Sequence, residues 1–462
     1  MAFYQANLAI FVAGNGYLLY RQYKRQEQET IEELKQEAAD AEDGEDGEVE
    51  RQQLLLAPNE SQAAVRQFQL EFFPVYALAM AADWLQGPHI YAIYKYEKNI
   101  PEKVVAALYA AGFVSGAISA SFAGEFADRY GRRLACLAYC ITYILTCLTM
   151  LSDNLAVLFA GRFCGGISTT LLYSVFEAWL ITEYNQRGLS RTKLKLGAIF
   201  GNMTTISSVV AILSGIVGDV LVNALGGRVW PFMASAACSA VAMWLILRSW
   251  NENYGSKQAG GSSSLADLKS GIQLILADRR ILSLGMTSTF FEGAMYLFVF
   301  FWSAALKSAR AKTGSDEELP FGLIFSSFMC AMMAGSAFFS LYTKTHSRET
   351  TSFILMVVVL MVSCCLSAAV IVDSETLMFW ALCMIEASIG AYFPSMSYLK
   401  SEVVEDGVRG RVYSLLRLPL NVFVVVAHSL DEEGDGHRKA VFMTCAALLM
   451  MSFFIVKRNF AS

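Results

Sequence analysis

The sequence predicts an all-α polytopic membrane protein, with twelve transmembrane helices in two six-helix bundles preceded by a short hydrophobic helix. Three observations carry that reading. Of 462 residues, 55% are hydrophobic and only 17% are charged, where a soluble domain carries about 25%. Twelve apolar stretches approach the roughly 20 residues that cross a bilayer. One long polar segment divides them six and six, the layout of two repeated bundles.

The elements follow in order. Residues 6–20 are apolar but short for a span, and RQYKR follows them. With no basic start and no clear cleavage site they read as an anchor, residues 1–20, with its N-terminus outside, rather than as a signal peptide. Residues 21–69 read as an acidic linker on the inner side. Residues 27–50 alone hold twelve acids and one lysine, a composition that stays solvated. The net charge of −5 therefore belongs to this tail, and the rest of the chain is net positive. The spans are expected at 70–92, 104–126, 134–151, 154–180, 196–222 and 229–248, forming a first bundle over 70–248. A second set at 281–304, 320–342, 351–372, 376–399, 410–430 and 437–456 forms a second bundle over 281–462. Between them, 249–280 holds WNENYG, a Gly/Ser-rich stretch and LADLKSGIQLILADRR, read as an amphipathic helix on the inner surface.

Basic residues orient the chain. With the 249–280 segment inside, inner loops and the C-terminus carry nineteen Lys/Arg, outer loops nine and the N-terminal tail six. Two basic residues then remain within the membrane, Arg162 and Arg417.

Those two, with four acids, are the candidate functional residues. A charge at the bilayer centre costs at least about 2.5–3.5 kcal/mol. It persists where it meets water, a counter-ion or a ligand. From Arg162, steps of four, three, four and four reach Gly166, Thr169, Tyr173 and Glu177, one face of a helix. That polar stripe reads as the wall of a water-filled path. Asp83 in span one, Glu292 in span seven and Glu386 in span ten lie near the midpoints of their spans. Asp83 and Glu292 occupy equivalent helices of the two halves. Aligning Gly166 with Gly390 sets Arg162 against Glu386. Arg417 has Asn421 one turn on, with Pro419 between them.

Two readings of these charges are open. Buried ion pairs would fix helix packing. Alternatively, the arginines bind an anion and the acids balance charge or carry protons. A guanidinium fork matches two oxygens of a tetrahedral oxyanion. The site expected on the second reading is Arg162, Arg417, Tyr173, Thr169 and Asn421, with Asp83, Glu177, Glu292 and Glu386 for coupling. The Cα atoms of Arg162 and Arg417 differ in depth by about 12 Å, so the arginines are expected to act in succession. A ridge of Gly197, Gly201, Thr205 and Ser208 in span five is expected to pack closely on another helix.

Residues 124–133, GEFADRYGRR, join spans two and three. Gly124, Asp128, Gly131, Arg132 and Arg133 resemble the loop signature of the major facilitator superfamily, and that resemblance implies a latch at the inner gate. Arg162 with Gly165 and Gly166 is similar to the superfamily's fourth-span pattern. The matching loop between spans eight and nine, SLYTKTHSRE, lacks the Asp and the Gly-Arg pair, which argues against a symmetric latch. AADWLQGPHIY, GRFCGG with FEAW, WNENYG, FEG with FVFFW, and YFPSMSYL together resemble the molybdate-anion transporter branch, the major facilitator domain-containing protein 5 type. The resemblance implies the major facilitator fold, uptake of molybdate by alternating access, and a plasma-membrane location.

A dianion entering against an inside-negative potential costs about 2.3 kcal/mol per charge per 100 mV, so a co-transported cation, the proton first, is expected. The expected partners are molybdate, protons and the lipid bilayer, for a chain acting as a monomer. Sulfate or an organic anion is the alternative cargo, and a sensor or scaffold signalling through the tail is the alternative class. No nucleophile–base set or phosphate loop argues for an enzyme, and no basic patch argues for nucleic acid. The ten cysteines lie in apolar runs without a CxxC, so neither a metal nor a cofactor is expected.

Overall fold

The computed structural model describes residues 2–41, 58–189, 192, 194, 196–255, 272–312, 318–342, 347–404, 409–430 and 434–460. The acidic stretch 42–57 and the 256–271 segment, with much of the proposed amphipathic helix, lie outside the described residues; 272–277 is helical.

Thirteen long helices are described: α1 (Ala2–Ala41), α2 (Pro58–Gln86), α3 (Glu102–Tyr130), α4 (Arg132–Thr149), α5 (Leu155–Gln186), α6 (Leu196–Leu225), α7 (Val229–Ser249), α8 (Arg279–Lys312), α9 (Phe321–Tyr342), α10 (Arg348–Ile371), α11 (Glu375–Val403), α12 (Arg409–Ser429) and α13 (Asp435–Phe460). Ten of them are long and apolar enough to cross a membrane. Each of the twelve expected spans falls on one helix from α2 to α13. After Gln86 the first span winds on through a 3-10 turn (Gly87–His89) and Ile90–Ala92 into a π turn (Ile93–Glu97).

Each bundle is clamped by the same glycine crossing. A Cβ on Gly166 of α5 would meet Gly112 O of α3 at 2.3 Å. In the second bundle a Cβ on Gly390 of α11 would meet Met332 O of α9 at 1.9 Å, and one on Gly335 of α9 would meet Ala387 O at 1.8 Å. Only glycine lets these backbones approach so closely. The ridge expected in α6 does not do this, because Cβ atoms on Gly197 and Gly201 would meet nothing within 4 Å. Close contact on α6 is made a few turns later by Gly215, packed against Gly322 of α9.

The N-terminal segment departs from the short anchor and long linker expected of 1–69. α1 is one continuous helix through Ala41, and α2 begins at Pro58. Tyr4 Oη donates to Glu375 at 2.5 Å at one end of α1, and Arg25 reaches Ser340 O at 3.5 Å near the other. These residues are about 32 Å apart along a helix, so α1 runs the height of α9 as an added peripheral helix. Asn7 and Asn15 interrupt its apolar surface. Their Nδ2 groups donate to Phe3 O and Phe11 O one turn back, and that of Asn15 also to Cys330 O of α9 at 2.9 Å.

The bundles meet unevenly. Hydrogen bonds and ring contacts joining their described residues lie in the outer half or at the midplane. Asp219 of α6 accepts from Gly322 N at 2.9 Å, Ser326 donates to Ile212 O at 2.8 Å, and Arg228 pairs with Glu318 at 3.0 Å. Phe113 packs on Tyr296, and both Tyr91 and Tyr109 pack on Phe300. Among the described residues the bundles are thus joined at the end read as outer, and no hydrogen bond or ring contact joins them toward the inner end.

Candidate functional site: a charged path between two bundles

In the first bundle, Asp83 of α2 accepts from Tyr143 Oη of α4 at 3.1 Å and from Tyr173 Oη of α5 at 3.3 Å. Gln86 donates to the Tyr143 hydroxyl. Tyr173 is 54% exposed although it stands mid-helix and bonds to Asp83. Thr169 and Glu177 on the same face are also exposed. Gly166 belongs instead to the α3 crossing, so the polar stripe faces the open path only from Thr169 inward.

The second bundle repeats the motif with more charge. Glu292 of α8 accepts from Tyr392 Oη of α11 at 3.0 Å and from Ser288 Oγ at 2.6 Å. In both halves, then, the first helix carries a carboxylate and the fourth a tyrosine that donates to it. Lys400 adds to this half by donating to Ser288 Oγ at 3.1 Å. Arg417 lies within electrostatic reach of both Lys400 and Tyr296. The count that left two intramembrane basic residues is therefore corrected to three. Lys400 sits at the inner end of α11, but its four-carbon stem carries the ammonium back among the helices.

Arg162 and Arg417 are held apart, each in its own neighbourhood. Arg162 donates through Nε to Leu108 O at 3.3 Å and lies 5.1 Å from the centre of the Tyr109 ring. Arg417 is exposed and makes no hydrogen bond or ion pair with a described residue. Neither guanidinium meets a carboxylate among the described residues. Asn421 is half-buried beside the Pro419 break in α12.

Glu386 keeps the position that aligning Gly166 with Gly390 gives it, four residues before the crossing glycine, as Arg162 is before its own. It is 5% exposed and stands beside Cys383, with Cys330 of α9 also near Cys383. That position is away from Asp83, Glu292 and the arginines.

The inner loop is a built structure. Arg132 pairs with Asp128 at 2.7 Å and donates to Ala178 O at 2.9 Å and to Thr182 on α5. Gly131, at φ +116°, takes a turn that other residues rarely adopt, and a Cβ there would strike the Glu252 carboxyl at 2.4 Å. Glu252 accepts from Arg133 N at 2.7 Å and Leu134 N at 3.2 Å, so it caps α4. WNENYG, expected to begin a flexible linker, therefore belongs to the first bundle. Trp250 stacks on Trp179 at 3.7 Å between ring centres. Gly124, read as a close-packing glycine, borders open space.

Sequence reasoning missed Tyr143, Ser288 and Lys400. Ser288, one turn before Glu292 on α8, was the one with a signal in the spacing.

Two membrane-spanning six-helix bundles with opposed, pseudo-symmetric polar sites define a secondary transporter rather than an enzyme. A family model described as sugar transporters with 12 TM matches residues 56–385. The chain is 32% identical over 410 residues to the molybdate-anion transporter of Xenopus laevis, covering 86% of this chain and 88% of that one. It is 31% identical over 439 residues to the molybdate-anion transporter of Danio rerio, covering 86% and 89%. The structure of the nucleoside transporter NupG matches with a TM-score of 0.68 at 12% identity, over 84% of this chain and 100% of that one, which speaks to fold alone. The chain belongs to the major facilitator superfamily, and within it to the molybdate-anion transporter family.

Proposed function

We propose that this chain carries molybdate inward by alternating access between an outer-open state and the inner-open state described. The observation that carries the reading is that Arg162 and Arg417, within the expected spans, have no carboxylate partner among the described residues. A packing role would require such partners, whereas an anion pathway requires donors that are free. Molybdate, a tetrahedral dianion, suits two arginine stations with Lys400 beside the inner one. The names of the relatives point to the same cargo. We further propose the plasma membrane as the location and the proton as the coupling ion, with Asp83, Glu177 and Glu292 on the open path balancing charge. Tyr173, Thr169 and Asn421 would line it, and the Gly131–Arg133 turn with Asp128 would hold the inner gate.

The test is radiolabelled molybdate uptake into vesicles bearing the purified protein. Arg162→Ala and Arg417→Ala, at equal incorporation, are each expected to lower uptake at least tenfold, the scale of one lost charge-assisted contact. Undiminished uptake in both would overturn the anion-site assignment. Equal competition by sulfate would broaden the cargo to divalent tetrahedral oxyanions.

A further inference from the structure

The closed outer gate holds buried polar groups that the path above does not use. Tyr94, in the π turn that ends the first span, is 0% exposed, and its hydroxyl has no hydrogen-bond partner. His428, near the outer end of α12, is 2% exposed, and its Nε2 has none. Buried polar groups are normally satisfied, so each exception calls for a reason. These two share a neighbour, since both lie within electrostatic reach of Arg162. Arg162 commits Nε to Leu108 O, and its Nη groups carry no hydrogen bond to a described residue. Its seat is cut into α3. A Cβ on Gly112 would come within 2.9 Å of Nη2, and the Tyr109 ring lies beneath Cζ. That same ring stacks on His428 at 6.2 Å and 16°. π turns concentrate at functional sites, and this one brings Tyr94 to the arginine.

The geometry points to an oxyanion site at the outer gate, formed by Arg162, Tyr94 and His428, that takes a tetrahedral dianion together with one proton. The assignment rests on the anion-transport reading above and gives it a place. Arg162 and Tyr94 supply donors. The role of His428 follows from its other nitrogen. Nδ1 lies 2.9 Å from Val424 O; a carbonyl only accepts, so Nδ1 bears the hydrogen and Nε2 of the neutral ring bears a lone pair. A lone pair repels an oxyanion. The ring joins the site only when Nε2 takes a proton and becomes a donor, so anion and proton enter together. The groups packed on the ring are Tyr109 and Phe113 from α3 and Phe300 from α8, with Arg162 of α5 in reach. A bound dianion beside the ring favours its protonated form. Inward release of the anion would then discharge the proton on the same side.

The experiment measures molybdate affinity and proton uptake on binding, using the full chain in lipid nanodiscs and an indicator dye in weak buffer. Wild type is expected to take up about one proton per anion, with affinity falling toward tenfold per pH unit above the ring's titration. Tyr94→Phe keeps the ring packing and is expected to weaken binding about tenfold with proton uptake retained. His428→Gln offers a donor that does not titrate; it is expected to bind the anion with no proton uptake and a flat pH profile. Variants binding within twofold of wild type with proton uptake unchanged would overturn the site. A wild type that binds sulfate but not molybdate, with the same pattern among variants, breaks the choice of cargo and keeps the site. A wild type that binds no divalent oxyanion overturns both.

Discussion

The two bundles share a helix plan and differ at their inner ends. In the first, the turn between α3 and α4 is tied down from outside itself. Glu252 caps α4, Arg132 reaches α5, and Trp250 is buried against Trp179 and Phe72. In the second, α10 is capped locally by Ser347, whose hydroxyl accepts from Thr350 N at 3.1 Å. The charge is distributed the other way. Asp83 is held by two tyrosines, while Glu292 has Ser288 and Tyr392, with Lys400 bonded to the serine. One bundle has the rigid inner latch and the other the denser charge. Pseudo-symmetry of helices therefore does not extend to their ends, where a moving gate and a binding site make different demands.

This contrast can be broken at graded points. Trp250→Ala empties a buried aromatic stack and should cost about 3–5 kcal/mol, read as the largest fall in thermal unfolding temperature in detergent. A shift no larger than that of an exposed-residue control would remove the latch from the account. Lys400→Met keeps the length of the stem and deletes the charge. Molybdate uptake should drop about tenfold with little change in unfolding temperature, and a fall in stability alone would make Lys400 a packing residue. Glu252→Ala strips two α4 amides of their acceptor and should cost about 1–2 kcal/mol, against about 1 kcal/mol or less for Ser347→Ala. Equal losses would erase the difference between the two inner turns.

Much of this was legible before any coordinates. Helix positions from α2 to α13 follow from apolar length, and the built loop at 124–133 was signalled by its resemblance to a family loop signature. Asp83 and Glu292 stood out because charge is costly in lipid. The errors share one cause. Gly197 and Gly201 were expected at a close crossing and border open space, since a helix that is apolar on its lipid side as well as its packed side has no stripe to fix its rotation. Lys400 was counted by its backbone position, and a lysine head can lie several ångströms from there. α1 looked too short because its apolar run ends at Tyr20, and a sequence does not show that Asn15 and Arg25 will find carbonyls of α9 across a helix boundary.

The sequence by itself determined that this chain crosses a membrane in two sets of six helices and that charges lie within them, because the hydrophobic cost of length and charge is local and additive along a helix. Only the tertiary structure decided that Tyr143 and Tyr173 serve Asp83, that Glu252 caps α4 and that the outer end is the closed one. Those choices depend on which backbones approach within a few ångströms, and that is set by glycine crossings between helices far apart in the chain.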